Sequence, residues 1–450
     1  MNQQLLRFPH IFSRLGCTAL SIFLAPVLLS PLAYADTLQQ VISRTLQSNP
    51  DVAITAQTRL AVEQELKRAR AGYYPRIDLN LGYGLENSEN VTTNLRTGSD
   101  LELKRREASI SLNQMLFDGF STRNETQRQQ FRVQAQANRV QETSNTLALR
   151  STEVYLDVFR RQALLELAKD NLVVHQKTLN QIQQRYEQGA GRRADVDQAA
   201  AREALASADL LLTQGEIRNT RANYLRVTGE LPENLEAVDA QLLQTAMDKD
   251  LDSLLGLADE HHPLLQAAQA DVKAAQAAYA QTRAAYMPHL DMELAANRNR
   301  NLDGIEFKNN DASAMLHLRY NLYRGGADKA RRKETAHRIA VAKETLKRAQ
   351  RMVAEEIRLA WNNQQTITER MEYLKKHVAT TEAVVSSYQK QFQLGQRTLL
   401  DVLNAKNELY QARTALSSAS YAEIFSHFRL LSSSGQLLSA LNIESLAEAQ

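Results

Sequence analysis

The chain is poor in the residues that carry most enzyme chemistry. Its 450 residues include a single cysteine, Cys17, near the amino terminus. The rest of the chain therefore has no disulfide, no thiolate nucleophile and no thiolate metal site. Phosphate-binding Gly-Lys-Ser/Thr loops, Gly-x-Ser-x-Gly and His-Glu-x-x-His motifs are also missing. We expect a protein that is not an enzyme and needs no cofactor.

An excess of one charge and long apolar runs are also lacking. The 54 Lys and Arg nearly balance 51 Asp and Glu, so we expect no nucleic-acid partner. Arg7 and Arg14, an apolar stretch and Ala33-Tyr34-Ala35 predict a secretory signal peptide over residues 1–35. No apolar run of 18 residues follows, so we expect no membrane-spanning helix in the mature chain. Such a chain is either soluble outside the cytoplasm or crosses a membrane by strands.

Glycine and proline are absent from two runs of 68 residues, 121–188 and 327–394. As helices, these runs would each be roughly 100 Å long, which is far longer than a helix in a globular core. A tunnel wall or a coiled coil can use a helix of this length. Gly189, Gly191 and Gly395 follow the two runs and predict the turns at which the chain reverses.

The chain repeats itself internally. Gly189 and Asp195 recur 206 positions later as Gly395 and Asp401, and Pro50 recurs 213 positions later as Pro263. We predict a first repeat over residues 36–248 and a second over 249–450, each with a half-helix, a strand pair, a long helix and a second half-helix. In the first repeat these are residues 36–72, 76–117, 121–188 and 192–228. In the second, the strand pair, long helix and last half-helix are residues 289–323, 327–394 and 396–434.

The strand pairs alternate between apolar and polar residues, as Ile77, Leu79 and Leu81 do with their neighbours. A half-buried sheet on a soluble core and strands in a membrane both fit this alternation. Charged polar faces, aromatic residues at the strand ends and the export signal favour the membrane. We then expect the polar residues to face a water-filled lumen, namely Asp78, Asn80, His289, Asp291, Glu293, His317 and Arg319.

Four strands cannot close a barrel, and unpaired backbone edges are prohibitive in lipid. The smallest common barrels have eight strands, so at least two chains must share one, and three chains would give twelve. The loops between the strands are expected at residues 86–105 and 297–311. His289, Asp291 and Glu293 share a strand face and have the chemistry to bind a cation, but lining an aqueous lumen is the simpler interpretation.

One segment is specific enough to suggest a family. Residues 395–410, Gly-Gln-Arg-Thr-Leu-Leu-Asp-Val-Leu-Asn-Ala-Lys-Asn-Glu-Leu-Tyr, together with Leu116-Phe-Asp-Gly119 and Leu322-Tyr-Arg-Gly-Gly326, resemble motifs of the TolC family of outer-membrane channel proteins. The resemblance implies a mainly α-helical chain with transmembrane β-strands. It implies a homotrimer with a twelve-stranded barrel in outer-membrane lipid, four strands per chain, continued by a long periplasmic α-helical barrel.

The resemblance also implies partners and a gate. The partners would be a periplasmic adaptor protein and an inner-membrane ABC transporter or RND-type pump, and the cargo a protein or a small molecule. The gate and latch residues would be Asp195, Arg397, Phe392, Tyr186 and Thr398, with Asp401 and Asn404 in a constriction ring. Ordinary helix capping is the alternative role of Asp401. Phe392 and Asn404 depart from the family pattern, which has a tyrosine and a second acid there.

Within the family, the TolC-like turn and the lack of a lipid-anchoring cysteine favour the type I secretion branch, with similarity to the Lap-type agglutination proteins that export adhesins. Multidrug efflux is the alternative. A periplasmic coiled-coil adaptor or scaffold is a third hypothesis, but it requires a membrane anchor and a lipoyl-like domain, for which the sequence offers no segment.

Overall fold

A computed structural model describes residues 36–98, 100–238, 250–444 and 446–447. The predicted signal peptide and the predicted repeat boundary between residues 248 and 249 lie outside these ranges, so both stay predictions. The elements in chain order are α1 (Leu38–Ser48), α2 (Pro50–Ala71), β1 (Arg76–Ser88), α3 (Val91–Thr97), β2 (Leu101–Phe117), α4 (Ser121–Glu187), α5 (Arg193–Thr228), α6 (Leu251–His261), α7 (Pro263–Gln281), a 3-10 turn (Thr282–Tyr286), β3 (His289–Leu302), β4 (Ile305–Arg319), α8 (Ala327–Gln393), α9 (Leu399–Ser433) and α10 (Leu437–Ala440). The predicted class, mainly helical with one small sheet, is confirmed.

The two long helices, α4 and α8, have 67 residues each. Each begins after a left-handed residue, Phe120 and Gly326 respectively. At the start of α4 the carboxylate of Asp118 accepts a hydrogen bond from the Thr122 amide at 2.6 Å, which satisfies one of the free amides of the first turn. Each long helix ends just before a glycine with positive φ, Gly189 or Gly395. Among the described residues, no helix is both long and apolar enough to span a membrane.

The half-helices that precede the strands are broken, which corrects the prediction of one helix over residues 36–72. Asn49 is extended and separates α1 from α2, because Pro50 cannot donate the backbone hydrogen bond that a continuous helix needs. The Asn49 side chain caps α2 by accepting from the Asp51 amide at 2.9 Å. His262 and Pro263 repeat this arrangement between α6 and α7, where His262 Nδ1 accepts from the Leu264 amide at 3.2 Å.

The strands form one antiparallel sheet in the order β1-β2-β3-β4. The strands have 13 to 17 residues, and β4 ends at Arg319, before the predicted limit of 323. The predicted loop 297–311 is wrong, because β3 and β4 continue to a tight turn at Asp303-Gly304. The loop between β1 and β2 contains the short helix α3.

The hydrophobic core lies around the middle of the long helices. Tyr155 on α4 and Phe428 on α9 are fully buried, and α1 contributes Val41 and Ile42 to the same cluster. The Tyr155 hydroxyl donates to the carbonyl oxygen of Asp36 at 2.9 Å, so its one polar atom is satisfied. A second cluster joins α6 and α7 to α8 through Leu254, Leu265 and Ile357. The half-helices are thereby attached to the long helices α4 and α8, which we call the rods. The sheet extends beyond one end of the rods.

Candidate functional site

The register of the sheet places all seven predicted lumen residues on one face. Asp78 pairs with Ser111, and Asn80 with Ser109. On the other strand pair, Asp291 lies opposite His317 and His289 opposite Arg319. Glu293 and Asn113 are also partners and connect the two pairs. Because directly paired residues share a face, one continuous polar surface crosses all four strands.

The carboxylates on this polar face are paired. Arg319 Nη2 lies 2.7 Å from Asp291 Oδ2, and His289 Nε2 lies 3.3 Å from Asp291 Oδ1. His317 Nε2 lies 3.2 Å from Glu293 Oε2. In the part of the chain that the structure describes, no cluster of three or more His, Cys, Asp or Glu residues has the arrangement of a metal site. Of the side chains considered for a cation, His289 and Asp291 contact each other along β3, and Asp291 and Glu293 contact Arg319 and His317 of β4.

The opposite face of the sheet is apolar and open. Ile77, Leu79 and Leu81 of β1 are 63%, 65% and 73% exposed, and Leu316 and Leu318 of β4 are 66% and 68% exposed. In the central strand β2, Ile110 is exposed while Ser109 and Ser111 beside it are half-buried. A water-soluble protein buries the apolar face of its sheet. Here the apolar side chains are the exposed ones, which indicates a face that meets lipid.

At the far end of the rods, the first reversal turn joins α4 to α5. Gly189 has φ 76°, and its amide donates to the Tyr186 carbonyl oxygen at 2.9 Å, while the Ala190 amide donates to that of Arg185. These bonds satisfy the last carbonyls of α4. Gly191 leaves little room for a side chain, because a Cβ there would lie 3.0 Å from the Tyr186 amide nitrogen and the backbone would have to move by a few tenths of an ångström. No side chain caps α5, which begins with Asp195 in its first turn.

The second turn joins α8 to α9 and has the same backbone bonds, with Gly395 at φ 74°. Here, however, α9 is capped. Thr398 Oγ1 accepts from the Asp401 amide at 3.3 Å, and Asp401 Oδ2 accepts in return from the Thr398 backbone amide at 3.4 Å. This capping box confirms the capping role that was the alternative for Asp401.

The two turns pack on each other. Ile182 and Val196 of the first hairpin bury their side chains against Leu399 and Leu403 of the second. The predicted gate residue Phe392 packs against this cluster, and the guanidinium of Arg185 lies 5.0 Å from its ring. Tyr186, by contrast, is exposed. The two helical hairpins, α4–α5 and α8–α9, therefore pack against each other at their turns, and we call this region the tip.

Polar contacts also join the hairpins. Arg202 of α5 donates to Asn404 Oδ1 at 3.0 Å, and Lys406 Nζ donates to Thr178 Oγ1 at 2.9 Å. Burial lowers the pKa of Lys406. The pKa of His175 is lowered by burial and further by the nearby cations Lys406 and Arg202. Asn404 thus has a partner on the neighbouring hairpin of its own chain.

Arg397, the predicted latch cation, is held within its own hairpin. Its guanidinium lies 4.0 Å from the Tyr388 ring, Nε donates to Gln391 Oε1 at 2.9 Å, and Nη1 lies 3.8 Å from Asp401 Oδ2. Among the described residues of a single chain, the Asp195 carboxylate has no cation within 4.0 Å. The predicted contact between Arg397 and Asp195 is not made within the single chain, and it stays a prediction.

The sequence did not single out Arg185, Arg202, Tyr388, Gln391 or Lys406. Tyr388 and Gln391 precede Arg397 by nine and six residues, a spacing with no meaning until the turn folds the chain back. Arg202 and Lys406 lie on helices whose relative rotation the sequence does not specify. The one available signal was that Arg185 and Gln391 occupy equivalent places, 206 residues apart, just before their turns.

A sheet with a polar face and an exposed apolar face, attached to helices of this length, is the architecture expected of a membrane channel protein. The chain belongs to the outer membrane efflux protein family, whose model matches residues 41–230 and 254–436. It is an outer-membrane protein with a periplasmic helical part, and it is a transport conduit rather than an enzyme.

Three curated relatives span most of the chain. It is 24% identical over 414 residues to outer membrane efflux protein BepC of Brucella suis, covering 91% of this chain and 88% of BepC. It is 24% identical over 425 residues to outer membrane protein TolC of Escherichia coli, covering 91% and 84%. It is 25% identical over 398 residues to the alkaline protease secretion protein AprF of Pseudomonas aeruginosa, covering 86% and 81%.

Solved structures share the fold. CusC superposes with a TM-score of 0.78 at 16% identity, covering 90% of this chain and 92% of CusC. The outer membrane protein VceC of Vibrio cholerae gives 0.74 at 18% identity, covering 90% and 95%. The chain is thus an outer-membrane efflux or secretion channel by family, and its relatives include proteins named for both activities.

Proposed function

We propose that the chain is the outer-membrane exit duct of a tripartite type I protein secretion system, opened at its periplasmic tip when an adaptor and an inner-membrane ABC transporter dock. The main support for a membrane duct is the sheet, which has polar side chains in contact with one another on one face and exposed leucines on the other. The secretion branch is supported by the similarity to AprF and by the absence of cysteine after Cys17. A large adhesin is the cargo we expect.

Efflux of small molecules is the second candidate, and the similarity to BepC favours it, with an RND-type pump as the inner-membrane partner. Deleting the gene and restoring it on a plasmid separates the two. Loss of a secreted protein with unchanged drug sensitivity supports secretion. Drug sensitivity with an unchanged secreted proteome rejects it in favour of efflux. The plasmid must restore whichever property is lost.

The sheet supports a homotrimer. Its order leaves one backbone edge free on β1 and one on β4, and three chains joined edge to edge make a closed barrel of twelve strands. Cysteine cross-linking tests this joint. Within a chain, β1 and β4 are three strand spacings apart, roughly 14 Å, whereas a disulfide requires Cα atoms within about 7 Å.

Leu79→Cys is therefore combined in turn with cysteine at Ala312, Ala314 and Leu316, because the register between chains is not known in advance. Mature chains have no other cysteine if residues 1–35 are removed, so the background is clean. We expect covalent trimers in at least one combination and none in the single-cysteine controls. Monomers in all three combinations, with detergent-solubilised protein also monomeric, would reject the shared barrel.

We also propose that the packed tips form the periplasmic gate. The unpaired carboxylate of Asp195 supports a contact to Arg397 of a neighbouring chain, which lies in the other kind of turn. Three copies of Asp401 and Asn404 would then form the constriction. Arg397→Ala should raise single-channel conductance in planar bilayers, while Arg193→Ala, which removes a cation paired 3.1 Å from Asp197 on the same tip, should not. Equal conductance of Arg397→Ala and wild type would remove Arg397 from the latch.

A further inference from the structure

The lipid-facing side of the sheet changes character near the loops. One register row runs across the sheet through Tyr83, Arg106, Arg300 and Lys308. Counting along each strand places this row on the same face as Leu79 and Ile110, two rows further from the helices. We call Arg106, Arg300 and Lys308 the outer cationic row. All three side chains are exposed.

These cations differ from those on the polar face. Arg105, the neighbour of Arg106, points the other way and lies 2.7 Å from Glu86 and 3.6 Å from Asp303. No described carboxylate lies within 4.0 Å of the outer cationic row, and the Arg106 guanidinium lies 5.7 Å from the centroid of the Tyr83 ring. Glu306, an acid near this end, is already paired with Arg96 at 3.3 Å.

Three like charges on directly paired positions repel one another, since adjacent strands are only about 4.8 Å apart. The arrangement becomes favourable if an anion of high charge density lies against it. Arg presents a planar fork of donors that matches phosphate oxygens, and Lys adds a point charge. The next row towards the helices contains Leu81 and Ala108 together with Arg298 and Asn310, and the row beyond that is apolar. The face thus changes from apolar to cationic over two rows and has Tyr83 at its outer end, as at the level of lipid headgroups.

We propose that the outer cationic row binds the phosphate groups of an anionic lipid in the outer leaflet. The helices are periplasmic, so the loop end of the sheet lies on the outer side of the membrane. Three cations within three strands fit a headgroup with more than one phosphate. The lipid would neutralise the row and seal the sheet to the surrounding leaflet. This proposal depends on the orientation of the chain in the membrane and not on its cargo.

The test uses full-length protein purified in detergent, with diphosphoryl lipid A and its fully dephosphorylated form as probes and native mass spectrometry as the readout. We expect wild type to bind the diphosphoryl form at least roughly tenfold more tightly, because each headgroup-level cation contributes measurably to anionic lipid binding. R106Q/R300Q/K308Q should lose this preference. R105Q is the matched control, since it removes a cation from the adjacent, inward position, and it should keep the preference.

The proposal is overturned if wild type binds both probes with equal affinity. It is also overturned if the triple variant binds the diphosphoryl probe as tightly as wild type does. Displacement of the lipid by millimolar inorganic phosphate would also overturn it, because the row would then be a general anion site. Should the triple variant fail to fold, the single variants R106Q, R300Q and K308Q provide the measurement, each with an expected loss of a few-fold.

Discussion

The two reversal turns have nearly the same backbone and different side-chain roles. In the 206-residue register, Gly189 matches Gly395, and both are left-handed. Arg192, however, matches Thr398, so α9 has a capping residue and α5 has none. Asp401 therefore caps its own helix, while its counterpart Asp195 has no cation within 4.0 Å among the described residues. The two copies of the turn therefore share a backbone conformation and differ in how the following helix is capped.

The same divergence occurs at the helix breaks, where Asn49 matches His262. His262 is buried and its Nδ1 lies 3.8 Å from Glu142 Oε2 of α4. Burial lowers the pKa of His262 to about 4. Burial, with the nearby charge of Glu356, raises the pKa of Glu142 to about 7. The first break has no such pair, since its cap is an amide.

The largest expected effect comes from His262→Asn, which gives the second helix break the same capping residue as the first. Folded His262 stays neutral where the unfolded chain takes up a proton, so its contribution to stability is lost as pH falls from 6.5 towards 4. Folded Glu142 keeps a proton that the unfolded chain releases, so stability falls as pH rises from 4.5 towards 7. The two slopes oppose each other in wild type.

In His262→Asn the opposing His262 slope is removed, so we expect the stability at pH 5 minus that at pH 7.5 to be larger than in wild type by roughly 2 kcal/mol. Glu142→Gln should change the profile in the opposite sense, and the double variant should lack both contributions. Denaturant unfolding of the detergent-solubilised protein between pH 4 and 8 measures this. A His262→Asn profile parallel to that of wild type would contradict the assignment.

The next largest effect is expected at Gly191, a glycine that is present in the first turn and absent from the second. Gly191 matches Arg397, and a Cβ on Gly191 would crowd the backbone of Tyr186. Gly191→Ala should destabilise the tip by roughly 1–3 kcal/mol through overpacking. Gly189→Ala and Gly395→Ala, which meet open space, should each cost about 1 kcal/mol from backbone strain. Hydrogen exchange of the tip amides reports these local differences, and equal exchange in Gly191→Ala and Gly189→Ala would count against the close approach.

Exchanging the caps should reverse the asymmetry. Thr398→Ala should speed amide exchange at the start of α9, corresponding to about 1 kcal/mol. Arg192→Thr should slow exchange at the start of α5 by a similar amount, because Asp195 already stands at the position that completes a capping box. Arg192→Ala separates gain of a cap from loss of the arginine. If Arg192→Thr and Arg192→Ala behave alike, no cap has formed.

The smallest effect is expected at Asn404, whose partner Arg202 lies on the other hairpin. Asn404→Asp converts an exposed hydrogen bond into an ion pair and should stabilise the tip by no more than about 0.5 kcal/mol. Arg202→Gln in the same background should remove the gain. Bilayer reversal potentials should shift towards cation selectivity if residue 404 lines the constriction, and an unchanged potential would place it outside the pore.

Much of the architecture followed from pattern alone. Absence of Gly and Pro over 68 residues predicted α4 and α8 to within a residue at their ends, because nothing else interrupts a helix so reliably. Period-two alternation located all four strands and the shared polar face. The breaks at Asn49 and His262 were missed although each precedes a proline, because proline is also tolerated at the first position of a helix.

The sequence by itself determined the rods, the alternating strands, the reversals at glycine and the family, because these depend on local backbone preference and on short motifs. Only the tertiary structure decided what each polar side chain contacts. It paired Arg397 with Tyr388 and Gln391, Asn404 with Arg202, and His317 with Glu293, and it left the outer cationic row without acids. These contacts join residues distant in sequence, or turn on side-chain direction, which only the folded packing of helices and the register of strands specify.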